Sequence, residues 1–543
     1  MWAKWAALGS MLMALGGASA QTQIRIESLL GDSAQANPAP VQVEFQQGSG
    51  VSEGTLILRH RMQIEEHYPL QLPPNARKTL TLAVGKDAVD LWWHAQDGTR
   101  AAVELPYPTE EHVPVAIVGD VKGGFQVVSQ IEAEWRRNDT LYWRPVYWSP
   151  EALPTDWQAL SGLRAIVLVD GAERLSESQW RALATWMLTG GHLMVSLGGA
   201  LRLTLNATPL KPYLPPMGTP VKRVVIYNNR PSEYAIIPTT PPPSGWRVER
   251  DGEAIISLSR PVFAGKLTFV LSDLTSPAWR NPWFASERWQ GWLSYKDTRV
   301  PAEQIQAVLN IETPHPTAIT PQQLAGVLTL MTLTPIGVAV IWHRLRSRGR
   351  LAHAMPWLVG WALVSTGATL IALPREASQP QSLLSQIFLM DPALPVAARA
   401  VVVYFPVRPG VQTLTAPTDT RWEVRPGHGV MAQVRYEDRP KIALRARGRS
   451  AAWLLSVEPV VPPVRAFWQG GNLVLEAMQG AFVSEAQTDY FTTFQPTTPK
   501  RRLMVPRNTL ATARAVFVRM RGLPYSIEPT PEQEVAVACI AIP

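Results

Sequence analysis

Apolar and polar positions follow three patterns along this chain. Over residues 22–107 they alternate in short runs, VQVEF (41–45), TLILRHRM (55–62), TLTLAV (79–84) and VDLWWH (89–94), divided by Gly, Pro, Asn and Asp. A period of two marks strands with one buried face, and the regular breaks predict a small antiparallel β-sandwich. From His112 the runs become apolar throughout, as in VPVAIV (113–118), AIVLV (165–169) and HLMVSL (192–197), the pattern of strands covered on both faces. Between the last two, Ser176 and Gln179 form a capping-box pair, Leu175 can staple to Trp180, and Gly190 can close the end, which predicts a helix. Trp180, Leu183, Ala184 and Met187 share one face of it. A strand, a helix and a strand in that order predict a parallel sheet. Residues 201–260 are Pro-rich and β-leaning (VKRVVIYNN, AIISLSR), which predicts a β insertion over the sheet's C-terminal edge, where α/β folds bind ligands. From residue 384 β-runs return, among them ARAVVVYFP (398–406), AAWLLSVEP (451–459) and NLVLEAM (472–478), and predict a second sandwich-like domain over 384–543.

The third pattern is unbroken apolarity. Segments 322–342 and 354–373 contain no ionisable residue, and at about 1.5 Å per residue each is long enough for a bilayer core of roughly 30 Å. The loop between them, 343–353, holds Arg344, Arg346, Arg348 and Arg350, and positive charge in short loops stays cytoplasmic. Two transmembrane helices in a hairpin are therefore expected; a buried soluble hairpin is the alternative. Residues 1–20 have a lysine, an apolar run and an Ala18-Ser19-Ala20 cleavage site, which predicts a signal peptide. Together these place the chain in a bacterial inner membrane, with both large parts on the periplasmic side.

Charge sharpens this picture only in part. The net charge of +8 is uneven: residues 21–320 carry 27 basic against 30 acidic side chains, whereas residues 374–543 carry 19 against 13. The basic C-terminal part faces either the membrane surface or plain solvent, and nucleic acid is not an expected partner of an exported chain. Cys539 is the only cysteine, which excludes an intramolecular disulfide and cysteine-based zinc or redox motifs.

Two stretches carry a family resemblance. LSGLRAIVLVDGAERLSESQWRALATWMLTGGHLMVSLGG (160–199) and AGKLTFVLSDLTSPAWRNPWFASERWQGWLSY (264–295), followed by the apolar hairpin, resemble uncharacterised bacterial envelope membrane proteins with a class I glutamine-amidotransferase-like, non-catalytic ectodomain. The resemblance covers 110–373 and implies a flavodoxin-like α/β domain over 110–300. It also implies partnership with MoxR-type ATPases and von Willebrand factor A domain proteins, in envelope protein assembly or maturation. The fold class expected is thus a multidomain α+β membrane-anchored protein, with a β-sandwich at each end of the α/β domain.

Candidate chemistry is sparse. True amidotransferases use a Cys on a sharp turn with a late His and Glu; here Ser196 holds the comparable place, and no histidine lies between His192 and His315. A serine without a base is not an activated nucleophile. Residues 29–33 (LLGDS) imitate the start of a GDSL hydrolase signature, but they precede the first convincing strand and no His follows an Asp by three. His60 and His67 bracket Glu65 and Glu66 with a spacing unlike HExxH; read as one strand they point to opposite faces, so a polar sheet surface is expected rather than a metal site. The turn 119–124 (GDVKGG) has neither a dinucleotide nor a Walker pattern. No catalytic, cofactor-binding or metal-binding residue is assigned, and no cofactor is expected. Tryptophan is abundant, with groups at Trp92 and Trp93, Trp143 and Trp148, and Trp279, Trp283, Trp289 and Trp292. The functional expectation is a scaffold for other envelope proteins, with a glycan- or peptidoglycan-binding module built on exposed tryptophans as the alternative.

Overall fold

The computed structural model describes residues 22–294 and 382–542, less short internal stretches (31–38, 49–51, 106–111, 134–140, 228–229, 241–244, 417–420, 489–491, 511–512 and single positions), together with His343. The described residues are 54% strand and 15% helix. That is mostly β-structure, and the α+β fold class that the patterning predicts is not upheld.

The central sheet explains why. Its spatial order is Arg247–Asp251, Ala254–Val262, Gly265–Val270, His192–Ser196, Ala165–Leu168, His112–Val118, Leu141–Trp148 and Glu132–Ala133. The five strands from Gly265–Val270 to Leu141–Trp148 are parallel, and the others pair antiparallel. Parallel strands need crossovers, but among the described residues only helix α1, Glu177–Leu188, makes a long helical one; α2, Leu201–Thr204, is a single turn. The other crossovers carry 3₁₀ turns and further strands, four of them between His192–Ser196 and Gly265–Val270, and α3, Pro282–Ser294, follows the last parallel strand. C-terminal β-structure joins the same core, and Ala397–Val407 and Ser450–Val460 pack against α1. Ile387, Leu389, Ala398, Ala515, Cys539 and Ala541 from the C-terminal strands share its core. Uninterrupted apolar strands signal two covered faces, but not whether helices or sheets cover them.

Locally α1 follows its sequence. Ser176 caps it, its side chain accepting from the Gln179 amide while Gln179 returns a bond to the Ser176 backbone. Leu175 and Trp180 are both buried beside that cap.

The stretch 201–260 is not a single inserted layer. Arg247–Asp251 and Ala254–Val262 extend the central sheet as antiparallel strands, and Ile256 and Leu258 are buried in its core. Only Val221–Tyr227 and Arg230–Ile236 form a separate hairpin.

The two end regions are also joined. A three-stranded sheet, Gln23–Ser28, Ala39–Gln46 and Arg77–Val84, packs Val43 and Phe45 against Leu56, Leu58 and Trp93 of a second sheet. That second sheet has seven strands, in the order Gly410–Thr415, Lys441–Ala446, Val430–Arg435, Ile64–Leu72, Ser52–His60, Ala88–Ala95 and Arg100–Val103. Its middle pairing is parallel, with Ala432 opposite Ile64 and Arg435 opposite His67. Residues from both ends of the chain thus build one sheet. A further eight-stranded sheet, including Ala397–Val407 and Ser450–Val460, and a three-stranded one of Val464–Gln469, Asn472–Ala477 and Arg502–Pro506 complete the C-terminal part.

No helix among the described residues is long and apolar enough to cross a membrane. The longest, α3, has 13 residues and spans about 20 Å at 1.5 Å per residue, short of the roughly 30 Å required. The expected transmembrane pair, and the inner-membrane location drawn from it, are not upheld by this structure. Segments 322–342 and 354–373, the loop 343–353 apart from His343, and the expected signal peptide 1–20 lie outside the described residues.

Candidate functional site

Ser196 ends the His192–Ser196 strand, at the C-terminal edge of the parallel sheet. It is 2% exposed, and its hydroxyl is committed: it donates to the Ser272 carbonyl at 2.9 Å and accepts from the Leu274 amide at 3.1 Å. Ser272 in turn accepts from Trp279 Nε1 at 3.0 Å. Behind Ser196 the chain is pressed onto the neighbouring turn, because a Cβ added at Gly198 would lie 1.9 Å from the Asp273 nitrogen. A substrate carbonyl has no approach to this hydroxyl. His192 stands at the other end of the strand, about 13 Å away. It bonds Thr268 Oγ1 at 2.9 Å, and burial, with Lys266 and Arg164 nearby, drives its pKa well below the ordinary value. The acids at the other strand ends are engaged too. Asp120 pairs with Arg174 at 2.5 Å, and Asp170 accepts from the Leu201 amide at 3.2 Å.

The densest polar constellation lies elsewhere. His60 ends the Ser52–His60 strand, and the next strand begins at Ile64 after a turn in which Gln63 has φ 58°. His60 and Glu66 are therefore not on one strand; they meet across a hairpin, with His60 Nε2 3.1 Å from Glu66 Oε1. Glu66 is in phase with Ile64, Leu70 and Leu72, which makes it an inward-facing charge, 6% exposed. The expected polar sheet surface is instead a buried ion cluster. Arg421 Nη2 lies 3.0 Å from both Glu66 oxygens, Tyr68 donates its hydroxyl to the same carboxylate, and His60 Nδ1 is 3.2 Å from Asp87. His67 points outward to Glu65 and Gln433.

Burial alone would raise the Glu66 pKa, but Arg421, His60 and Tyr68 outweigh it and hold the carboxyl down to about 2. For His60 burial works downward, and the bonds to Asp87 and Glu66 outweigh it to lift the imidazole to about 9. Burial pushes the Tyr68 and Tyr436 hydroxyls well up, and the Glu66 charge adds to it, so both stay protonated.

These rings flank a cavity of about 330 Å³ where all three parts of the chain meet, lined by Tyr68, Asp156, Trp157, Arg421, Tyr436 and Val457 among others. Tyr68 and Tyr436 stack at 4.8 Å and 16°, and Trp157 Nε1 donates to the Val457 carbonyl at 2.8 Å. Asp156 caps a 3₁₀ turn by accepting from the Gln158 amide at 2.9 Å; burial raises its pKa, with Arg421 and that amide opposing. The cavity is polar, and its arginine is paired with Glu66. Among the described residues no cluster of metal-ligating side chains occurs.

The tryptophan groups are mostly interior. Trp93, Trp143, Trp148, Trp279, Trp289 and Trp292 are all under 5% exposed, whereas Trp92 is half-buried; the Trp283 side chain lies outside the described set. Trp279, Trp289 and Trp292 pack against one another with centroids 5.3–5.4 Å apart. Indoles held this way offer no face to a sugar. The LLGDS segment follows the strand Gln23–Ser28 rather than preceding every strand, and all but its first two residues lie outside the described set.

No protein-family model and no curated protein matches the chain. Among solved structures, the exo-beta-1,4-mannosidase Op5Man5 from Opitutaceae bacterium strain TAV5 aligns with 33% of this chain and 35% of its own at 12% identity, with a TM-score of 0.20. Superposition that poor carries no argument about fold or activity.

Proposed function

We propose that this chain is a non-catalytic protein-interaction scaffold, in the accessory role to assembly or maturation of other proteins that the sequence resemblance implies. The observation that supports it most directly is the Val221–Tyr227 and Arg230–Ile236 hairpin. One side is anchored: Tyr234 and Ile236 are buried, and the Tyr234 ring sits 5.2 Å from Phe284 and 6.4 Å from Trp279. Among the described residues the Val221–Tyr227 strand has only its hairpin partner in the sheet, and Val221 and Val224 are 50% and 55% exposed. An outer strand with apolar side chains in water is a template for strand addition by a partner. Closure of the Ser196 site is consistent with the same reading.

A photo-crosslinking amino acid placed at Val224 in living cells tests it. One discrete adduct is expected there and none from exposed Glu287 on α3, and Val221→Lys should abolish it. Absence of an adduct, or identical adducts from both positions, would count against the scaffold.

A further inference from the structure

A second surface shows more definite chemistry. In the sheet of Val464–Gln469, Asn472–Ala477 and Arg502–Pro506, one face is buried through Ala466, Leu473, Leu475 and Val505. On the other face the register sets Arg465, Glu476 and Arg502 in one row, and Phe467, Val474 and Met504 in the next. The Arg465 and Arg502 guanidinium carbons lie 5.4 and 5.8 Å from the Phe467 ring centre. Two further pairs lie outside this row: Arg507 covers Trp468, which is in register with Leu473 on the first face, at 5.7 Å, and Arg501 covers Phe482 of a neighbouring strand at 5.8 Å. Trp468 is 39% exposed and Met504 52%. Over residues 464–469, 472–477 and 500–507 there are five basic side chains and one acid, Glu476.

We infer that this face binds an extended acidic segment of a protein partner. Guanidinium groups lying over an aromatic ring are held in place, Arg502 also by donating to the Gln469 side chain, and the planar fork of an exposed arginine matches a carboxylate. Because those rings already carry arginines, stacking of bases or sugars is disfavoured. Glu476, set between Arg465 and Arg502, repels a densely charged phosphate backbone but leaves room for carboxylates spaced about 7 Å apart on alternate residues of a strand. Met504, with Val474 buried beneath the row, supplies the exposed apolar contact between the charges.

This inference rests on the scaffold reading, and its test is independent of the hairpin. The full-length chain is titrated with a labelled peptide alternating Glu and Val, with its Gln counterpart, with a DNA duplex, and with phosphatidylglycerol vesicles. The Glu peptide should bind, weaken as salt rises, and lose about tenfold in affinity with each of Arg465→Gln and Arg502→Gln, the value of a charge-assisted hydrogen bond. Both arginines are exposed, so unchanged thermal unfolding of the variants is expected and confirms that they fold. Equal binding of the Gln peptide, indifference to both substitutions, or tighter arginine-dependent binding of duplex or vesicles overturns the inference. Loss of peptide binding with Val224 adducts intact removes this site alone; loss of the adducts with Glu-peptide binding intact removes the hairpin alone.

Discussion

Arg421 Nη2 sits 3.0 Å from both carboxylate oxygens of Glu66, and the two residues are 355 positions apart in the chain. Their side chains are 15% and 8% exposed, so the pair is desolvated, and its charges are tolerated because each is also held by others. Glu66 has His60 and Tyr68 besides Arg421. The pair ties the N-terminal hairpin to the C-terminal sheet beside a wall contributed by the central region.

Removing one partner strands the other. Arg421→Met leaves a buried carboxylate short of its main counter-charge, and a cost of roughly 3–5 kcal/mol in chemical unfolding is expected. Glu66→Gln combined with Arg421→Met should cost clearly less than the two singles added together. Strict additivity in that double-mutant cycle would show that the pair is not coupled.

The same cluster sets a pH optimum. Glu66 is depressed from 4.5 to about 2, so its contribution is complete above pH 4.5 and is lost as pH falls toward 2. His60 is raised from 6.5 to about 9, so its contribution is complete below pH 6.5 and is lost as pH rises toward 9. Stability from the cluster should peak between these limits and fall on each side by at most about 3 kcal/mol, shared by the coupled groups rather than counted twice. His60→Gln should flatten the alkaline limb and only weaken the acid one, which Arg421 still supports. An alkaline limb that survives that substitution would assign it elsewhere.

How much of this was legible in the sequence differs from one residue to the next. Ser176 and Gln179 announce α1 because a capping box is local, and alternation over 41–45 and 79–84 marks strands for the same reason. Glu66 was legible in principle: its phase with Ile64, Leu70 and Leu72 points inward. Reading residues 55–62 as one strand hid this, since the turn at Gln63 needs a left-handed conformation that a non-glycine residue does not advertise. Arg421 carries no local signal at all, because its partner arrives from the other end of the chain. The fold class misled for a similar reason: apolar strands such as Ile166–Leu168 show that both faces are covered, and only the tertiary structure reveals that C-terminal strands join that core.

Ser196 makes a stability prediction rather than a catalytic one. Ser196→Ala removes a buried donor from Ser272 and an acceptor from the Leu274 amide, which should cost about 1–3 kcal/mol. Val224 crosslinking should be unchanged in that variant at permissive temperature. A serine-directed phosphonate should leave the wild-type residue unlabelled; stoichiometric labelling at Ser196 would overturn the closed-site description.

The parallel pairing of Ile64–Leu72 with Val430–Arg435 bears on how the chain can be divided. Cutting between the halves removes more than one contact: residues 64–72 lose their outer neighbour, Glu66 loses Arg421, and Trp157 loses the Val457 carbonyl. The exposed edge would be a long strand with buried-type side chains, a template for aggregation. Residues 22–294 produced alone should therefore aggregate or unfold well below the melting temperature of the full chain, as should residues 382–543. Co-expression of the two should recover a soluble complex, because the interface needs no covalent connection once the strands have paired. The N-terminal piece with Glu66→Lys should fail to recover, whereas Glu65→Lys, on the outward face beside His67, should succeed. Size-exclusion chromatography of the co-expressed pairs decides this, and a monomeric, cooperatively melting 22–294 fragment would show that the shared sheet is dispensable.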